Sequence, residues 1–130
     1  MERGEEAVIQ GLEVAIPQEG GFSRIVNGPK WTVASIGHSE KYDEGNFKTL
    51  ARHLRTDEAF ILLDGSATLV IGKELKRIVM KPLAYYTVKA GTWHHVLVTP
   101  GTRVAVVEDS DTSKYNTETF TLADNGVESR

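Results

Sequence analysis

The sequence predicts an all-β domain, a sandwich or barrel of short strands, and three observations support this fold class. Short apolar runs recur at intervals of roughly 8–12 residues, and Gly- or Pro-containing turns separate them. The best candidate for a helix, 46–53, has a mixed Lys/Arg/Leu pattern that does not convincingly fit one. The length of 130 residues supports one domain around one core, which we place at 1–130.

The first predicted strands lie in the first 72 residues. Residues 33–36 are apolar enough for a strand and follow Asn27-Gly28-Pro29, a strong turn signal. Residues 59–63 form an apolar run that ends at Asp64-Gly65, a common hairpin turn, and 66–72 alternate partly between apolar and polar. We expect the last two runs to form a hairpin.

The second half of the chain contains a similar series of predicted strands. Residues 77–91 supply one or two strands divided by Pro82. The strands 95–99 and 103–108 flank a Pro-Gly turn and are predicted to form a second hairpin, and a last strand covers 117–123.

Composition excludes several classes of function. The formal net charge is −3 and the sequence pI is near 5.8, so electrostatic binding to nucleic acid or to an anionic membrane is not expected. With no cysteine, thiolate metal sites, disulfides and cysteine nucleophiles are excluded. The acidic N-terminus lacks the apolar core of a signal peptide, and no apolar stretch approaches 18 residues. We therefore expect a cytoplasmic protein.

The histidines are the residues most suited to metal chemistry. The chain has four, His38, His53, His94 and His95, and Glu58 lies five residues after the second. Alternate residues of a strand face the interior of a barrel, so separate strands can bring two histidines and one glutamate together. Imidazole and carboxylate suit a divalent transition metal such as Fe, Mn, Ni, Cu or Zn.

The spacing around the second histidine resembles a known family. The pattern Gly45-x5-Ala51-x-His53-x4-Glu58-x6-Gly65 is similar to cupin motif 1, G-x5-H-x-H-x3,4-E-x6-G. Every position agrees except the first histidine, where alanine stands.

A second segment, KAGTWHHVLV, resembles the core of cupin motif 2, G-x5-P-x-G-x2-H-x3-N. Gly91 and His94 are in place. Leu83, Lys89 and Val98 stand at the first glycine, the proline and the asparagine of that motif.

The resemblance implies a small single-domain cupin, a double-stranded β-helix or jelly-roll barrel. Residues 1–30 would form edge strands or an arm, and 45–108 the barrel core. The family's pattern places a metal in the interior on His53, Glu58 and His94. Ala51 cannot ligate, so the site has either a free coordination position or no metal. The family also implies a homodimer and a small polar metabolite as ligand.

Five residues are candidates to contact that ligand, each with a structural alternative. Arg55 could bind an anionic group or belong to a solvated edge. Tyr86 could line the interior or simply pack in the structure. Trp93 could lie at the cavity rim or simply pack. A strand-end histidine could stand in for the missing ligand or lie on the surface, and a phenylalanine lies near the glutamate. These residues are Arg55, Tyr86, Trp93, His38 and Phe60.

The sequence leaves three functions open, and with them whether the protein is an enzyme. The first is a metal-binding cupin that acts on or binds the metabolite. The second is a metal-free cupin that binds, isomerises or epimerises a sugar-like ligand, with His53 or a tyrosine as acid or base. The third is a non-catalytic dimeric binding protein.

Overall fold

The structure is a computed structural model that describes residues 9–123 as two five-stranded β-sheets facing each other. The strands, in chain order, are β1 (Gly21–Asn27), β2 (Trp31–Gly37), β3 (Thr49–His53), β4 (Glu58–Asp64), β5 (Ala67–Ile71), β6 (Lys76–Val79), β7 (Tyr85–Val88), β8 (His94–Val98), β9 (Arg103–Asp109) and β10 (Thr117–Thr121). Three 3-10 turns lie between them, at Glu40–Tyr42, Glu44–Asn46 and Lys114–Asn116.

All strand pairs within the two sheets are antiparallel, and the predicted all-β jelly-roll class is confirmed. One sheet has the order β1-β2-β9-β4-β7, and the other has the order β10-β3-β8-β5-β6. Consecutive strands such as β4 and β5 therefore lie in different sheets. The predicted helix candidate 46–53 begins at the last residue of a 3-10 turn and ends with the whole of β3.

Both predicted hairpins are wrong, although their strands are present. The turn at Asp64-Gly65 carries the chain from one sheet to the other, and so does the Pro100-Gly101 turn between β8 and β9. Each turn closes a corner of the barrel because both flanking strands have an apolar inner face that must be buried on opposite walls. Gly65 has a φ of 90°, and a Cβ there would lie 2.6 Å from the Cα of Thr102, so this corner requires glycine.

The core lies between the two sheets, and alternation along each strand produces it. In β4 and β9, every second side chain is buried and faces the opposite sheet. The buried apolar cluster contains Ala34, Ile36, Tyr42, Phe60, Leu62, Ala67, Leu69, Met80, Val88, Val96, Val98, Val104 and Val106.

The N-terminal part of the chain forms one edge of the barrel. Strand β1 is the outermost strand of its sheet and pairs with β2 only. Residues 1–8 of the predicted 1–30 arm lie outside the described residues, so that division stays a prediction. Within 9–123, no helix is long and apolar enough to cross a membrane.

Candidate metal centre and cavity

The three residues predicted to bind metal meet at one end of the barrel. His53 is the last residue of β3, Glu58 the first of β4, and His94 the first of β8. The Nε2 atoms of His53 and His94 lie 3.2 and 3.0 Å from the same oxygen, Oε1 of Glu58. Their ligand atoms all lie within 4.8 Å of one another.

Strand pairing fixes this meeting point. β3 and β8 are neighbours in one sheet, where Ala51 pairs with His94, while β4 faces them from the other sheet. The carbonyl of His53 accepts a hydrogen bond of 2.7 Å from the amide of Gly91, which ties the loop before β8 to the end of β3. Gly91 has a φ of 82°, a left-handed conformation that favours glycine.

Hydrogen bonds on the far side of each imidazole fix which nitrogen faces the carboxylate. The hydroxyl of Thr117 donates to the Ser113 carbonyl at 2.7 Å, so its oxygen accepts from Nδ1 of His53 at 2.8 Å. Nδ1 of His94 donates to the Thr92 carbonyl at 3.0 Å. With Nδ1 protonated, a neutral imidazole keeps its lone pair on Nε2. In that neutral form both lone pairs point at the buried carboxylate, the usual arrangement of metal-bound histidines, whereas an imidazole that also carries a proton on Nε2 donates it to Oε1 of Glu58 as a hydrogen bond.

The electrostatics of the site follow from its burial. Burial alone would raise the pKa of Glu58, but the hydrogen bonds with His53 and His94 outweigh it and hold that pKa well below its usual range. The hydrogen bond with Glu58 raises the pKa of His53. A second buried carboxyl, Glu108, pairs in register with Glu58, and burial together with that neighbouring charge raises its pKa to about 7.

These residues line a cavity of about 370 Å³ that is partly open. Ala51 faces it with only a methyl group, which leaves space beside the three ligand atoms. Its lining comprises Phe22, Arg24, Ile36, Lys41, Tyr42, Thr49, Ala51, His53, Glu58, Phe60, His94, His95, Val96, Glu108, Thr112, Ser113, Lys114, Thr117 and Thr119.

Of the five candidate ligand contacts, one lines the cavity and another lies on the surface. Phe60 lines the cavity one inward position along β4 from Glu58, and its ring centroid lies 5.9 Å from that of His94. Arg55 lies on the surface, where its guanidinium pairs with Asp111 at 2.5 Å.

The other three candidates lie outside the cavity lining. His38 forms a 2.8 Å pair with Asp43. Tyr86 accepts a hydrogen bond of 2.8 Å from the amide of Lys81. Trp93 packs with Phe120 in the smaller apolar cluster, apart from the main core. A role for these residues in binding a ligand stays a prediction.

Sequence reasoning missed several charged and polar residues of the cavity. Glu108 could have been found from alternation, because it continues the inward series of Val104 and Val106 along β9. Tyr42 is buried in a 3-10 turn, and burial raises its pKa to about 12, so it stays a neutral phenol. Arg24 reaches the cavity from β1, which no motif of the sequence marks.

Comparison with solved structures identifies the fold. Pac13, a nucleoside dehydratase from Streptomyces, superposes with a TM-score of 0.59 at 12% identity, covering 80% of this chain and 82% of that chain. The polyketide cyclase RemF from Streptomyces resistomycificus gives a TM-score of 0.58 at 14% identity and covers 89% and 84%. A cupin-2 domain protein from Shewanella frigidimarina gives 0.52 at 14% identity and covers 72% and 84%.

At these identities the likeness establishes the fold alone, and the chain has a cupin-like fold. No protein-family model matches the sequence, and no curated protein matches it at significant similarity.

Proposed function

We propose that this protein binds a divalent transition metal through His53, Glu58 and His94 and takes a small polar metabolite into the adjoining cavity. One observation carries the proposal: both imidazoles donate their Nδ1–H to oxygen atoms and aim their Nε2 atoms at one buried carboxylate oxygen. Two lone pairs and a carboxylate repel each other, so a cation must lie among them, either as protons on the imidazoles or as a metal ion. A metal ion satisfies all three groups at once.

The donor set fits such an ion. Neutral imidazole and carboxylate are ligands for Fe, Mn, Ni, Cu and Zn. With metal–ligand bonds of about 2.0–2.2 Å, neighbouring ligand atoms around one ion lie about 3 Å apart. The Nε2–Oε1 distances of 3.0 and 3.2 Å from the two histidines to Glu58 match that spacing. Three protein ligands also leave coordination positions for a metabolite.

Each part of the cavity then has a task. A bound metal would supply a Lewis acid that polarises an oxygen of the metabolite. Thr117 and the carbonyl of Thr92 hold the imidazoles in their ligating tautomer. Phe60 and Val96 provide apolar walls that exclude water, and the methyl group of Ala51 leaves room for the metabolite.

Calorimetric titration of the metal-free protein with each of the five ions tests the proposal. We expect one site per chain in the wild type, loss of that site in His53→Ala, and an unchanged site in His38→Ala. The second variant is the matched control because His38 pairs with Asp43 and does not line the cavity. Failure of every ion to bind, or equal binding by both variants, would contradict the proposal.

A metal-free acid–base site is the second candidate, and the contact between His53 and Glu58 favours it. At 3.2 Å this pair is within hydrogen-bond distance, and the raised pKa of His53 favours an imidazolium that could donate a proton into the cavity. In this case a chelator would leave ligand binding and any turnover unchanged. Under the metal proposal the chelator abolishes both, and re-addition of the ion restores them.

We further propose a homodimer, and the outer face of the β1-β2-β9-β4-β7 sheet supports it. Trp31, Tyr85 and Val107 are 53%, 79% and 37% exposed, and all belong to this sheet. Exposed apolar groups on one face are typical of an interface. Light scattering should give a mass in solution of twice the chain mass of 14.3 kDa. Tyr85→Glu should lower that mass towards the monomer value. A wild-type protein that is monomeric at all concentrations would contradict this.

A further inference from the structure

The charges that line the cavity are separated by sign. The two carboxyl groups, Glu58 and Glu108, are 7% and 5% exposed and lie in the interior. The three cations, Arg24, Lys41 and Lys114, are exposed residues of the same lining. Since the whole chain carries a net charge of −3, three cations at one opening are a local reversal of the protein's overall sign.

Arg24 retains most of its hydrogen-bonding capacity. Among residues 9–123, its guanidinium makes one hydrogen bond, of 3.3 Å to Glu108, and lies 5.8 Å from the ring centroid of Phe22; its side chain is 47% exposed. A guanidinium has five N–H donors, so most of the donors of Arg24 are available to a ligand or to water. By contrast, Arg52 and Arg77 each make two hydrogen bonds to one exposed glutamate.

The two lysines are carried by ordered turns. Lys41 lies in the 3-10 turn that the buried Tyr42 anchors, with its ammonium 5.3 Å from the ring centroid of that tyrosine. Lys114 begins the third 3-10 turn, which Ser113 and Asn116 fix by reciprocal side-chain and backbone hydrogen bonds. Neither ammonium pairs with a carboxylate among residues 9–123. Both are therefore available to a ligand at the opening.

We propose that the metabolite is a small organic anion whose carboxylate or phosphate group binds Arg24, Lys41 and Lys114 at the opening while its other end faces the buried metal site. This inference rests on the proposed function for the inner end only. Cations around a concave, low-dielectric site focus the field and raise the local concentration of anions. The buried carboxyl groups disfavour an anionic group deep in the metal-free cavity. The two charge layers together orient the ligand.

NMR titration with three matched probes tests the proposal: benzoate, phenyl phosphate and the neutral isostere benzamide. We expect both anions, or one of them, to bind about tenfold more tightly than benzamide at low salt, and that preference to shrink as salt screens the charges. The better anion identifies whether the group is a carboxylate or a phosphate. Equal affinity for benzamide, or shifts outside the cavity only, would overturn the inference, as would binding by none of the three.

Two double variants of equal charge isolate the lysines. We expect Lys41→Met/Lys114→Met to weaken anion binding by about fivefold and Lys30→Met/Lys81→Met to leave it unchanged. Identical affinities in the two double variants would overturn the inference.

Zinc binding is measured on the same samples, and each titration is run with and without zinc. A wild type that binds zinc without preferring anions refutes only this inference. One that prefers anions without binding zinc refutes only the metal proposal.

Discussion

Inward and outward side chains alternate along the paired strands β4 and β9, but the inward side chains are apolar at one end and carboxylic at the other. At one end Leu62 pairs with Val104, and both side chains are almost fully buried. Four residues away along β4, Glu58 pairs with Glu108, and both are also buried. Alternation alone therefore decides that a side chain points inward. Which end of the strand it occupies decides whether it packs in the apolar core or joins the buried polar cluster.

The two ends should also differ in energy. Burial of aliphatic groups stabilises a fold by about 25 cal/mol per Å² of apolar area. Burial of a carboxylate is unfavourable unless it is hydrogen-bonded or paired, and Glu58 depends on His53 and His94 for this. The apolar end should therefore dominate the free energy of unfolding, while the polar end dominates the affinity for ligands.

The largest expected effect is on stability, from Leu62→Ala at the apolar end. The side chain is 1% exposed, so its truncation should lower the free energy of unfolding by about 2–5 kcal/mol. Urea unfolding measures this, and metal stoichiometry should be unchanged. Leu63→Ala is the matched control, because Leu63 is 51% exposed and should change stability by at most about 0.5 kcal/mol. Equal losses in the two variants would contradict the assignment of the apolar end.

At the polar end, Glu58→Gln should reduce metal affinity by more than the roughly 10–100-fold that a supporting residue contributes, because it removes a charged ligand. Competition with a coloured chelator measures the change. Its effect on unfolding should be smaller than that of Leu62→Ala. The control Glu118→Gln changes an exposed carboxylate that pairs with Arg52, and it should bind metal normally. Retention of wild-type affinity by Glu58→Gln would remove the distinction between the two ends.

A smaller effect is expected from the residue that orients an imidazole. Thr117→Val preserves shape but removes the acceptor for Nδ1 of His53, and should lower metal affinity about 10–100-fold. Thr119→Val, the next cavity-lining position on β10, should have no such effect. Titration calorimetry compares the two variants. If both variants bind metal as the wild type does, the hydrogen bond at Nδ1 does not position the imidazole of His53.

The smallest effect is expected at a surface pair outside both ends. The hydrogen bonds from His38 and the amide of Gly45 lower the pKa of Asp43 below its ordinary 3.8. The stabilisation of the fold by the Asp43 carboxylate is therefore present above that pH and is lost as the pH falls through the lowered pKa. Acid unfolding should show a shallower decline for Asp43→Asn than for the wild type in that range. The same pH profile for both proteins would show that the pair adds nothing.

The sequence predicted the strands and the residues of the polar cluster better than it predicted which strands pair. Motif spacing predicted that His53, Glu58 and His94 lie together, which the structure shows, because residues at strand ends keep fixed distances from turn glycines. Both hairpins were predicted wrongly because Asp64-Gly65 and Pro100-Gly101 are turn signals whether the chain returns to the same sheet or crosses to the other. Local sequence does not distinguish these cases.

The cavity opening was the least predictable part of the site. Lys41 and Lys114 lie on 3-10 turns that are far apart in the chain and come together only through the sheet order. The sequence predicts that Arg55 could bind an anionic group of a ligand, but its guanidinium pairs with Asp111, an exposed residue of another loop, at the surface. Side-chain direction in loops depends on tertiary contacts that spacing does not encode.

Anomalous diffraction from crystals of zinc-loaded protein tests whether His53, Glu58 and His94 form a metal site. We expect one strong anomalous peak per chain at the zinc edge, about 2.0–2.2 Å from Nε2 of His53, Nε2 of His94 and the carboxylate of Glu58. A zinc-loaded crystal with no anomalous peak among these three side chains, or with peaks only elsewhere, would contradict it.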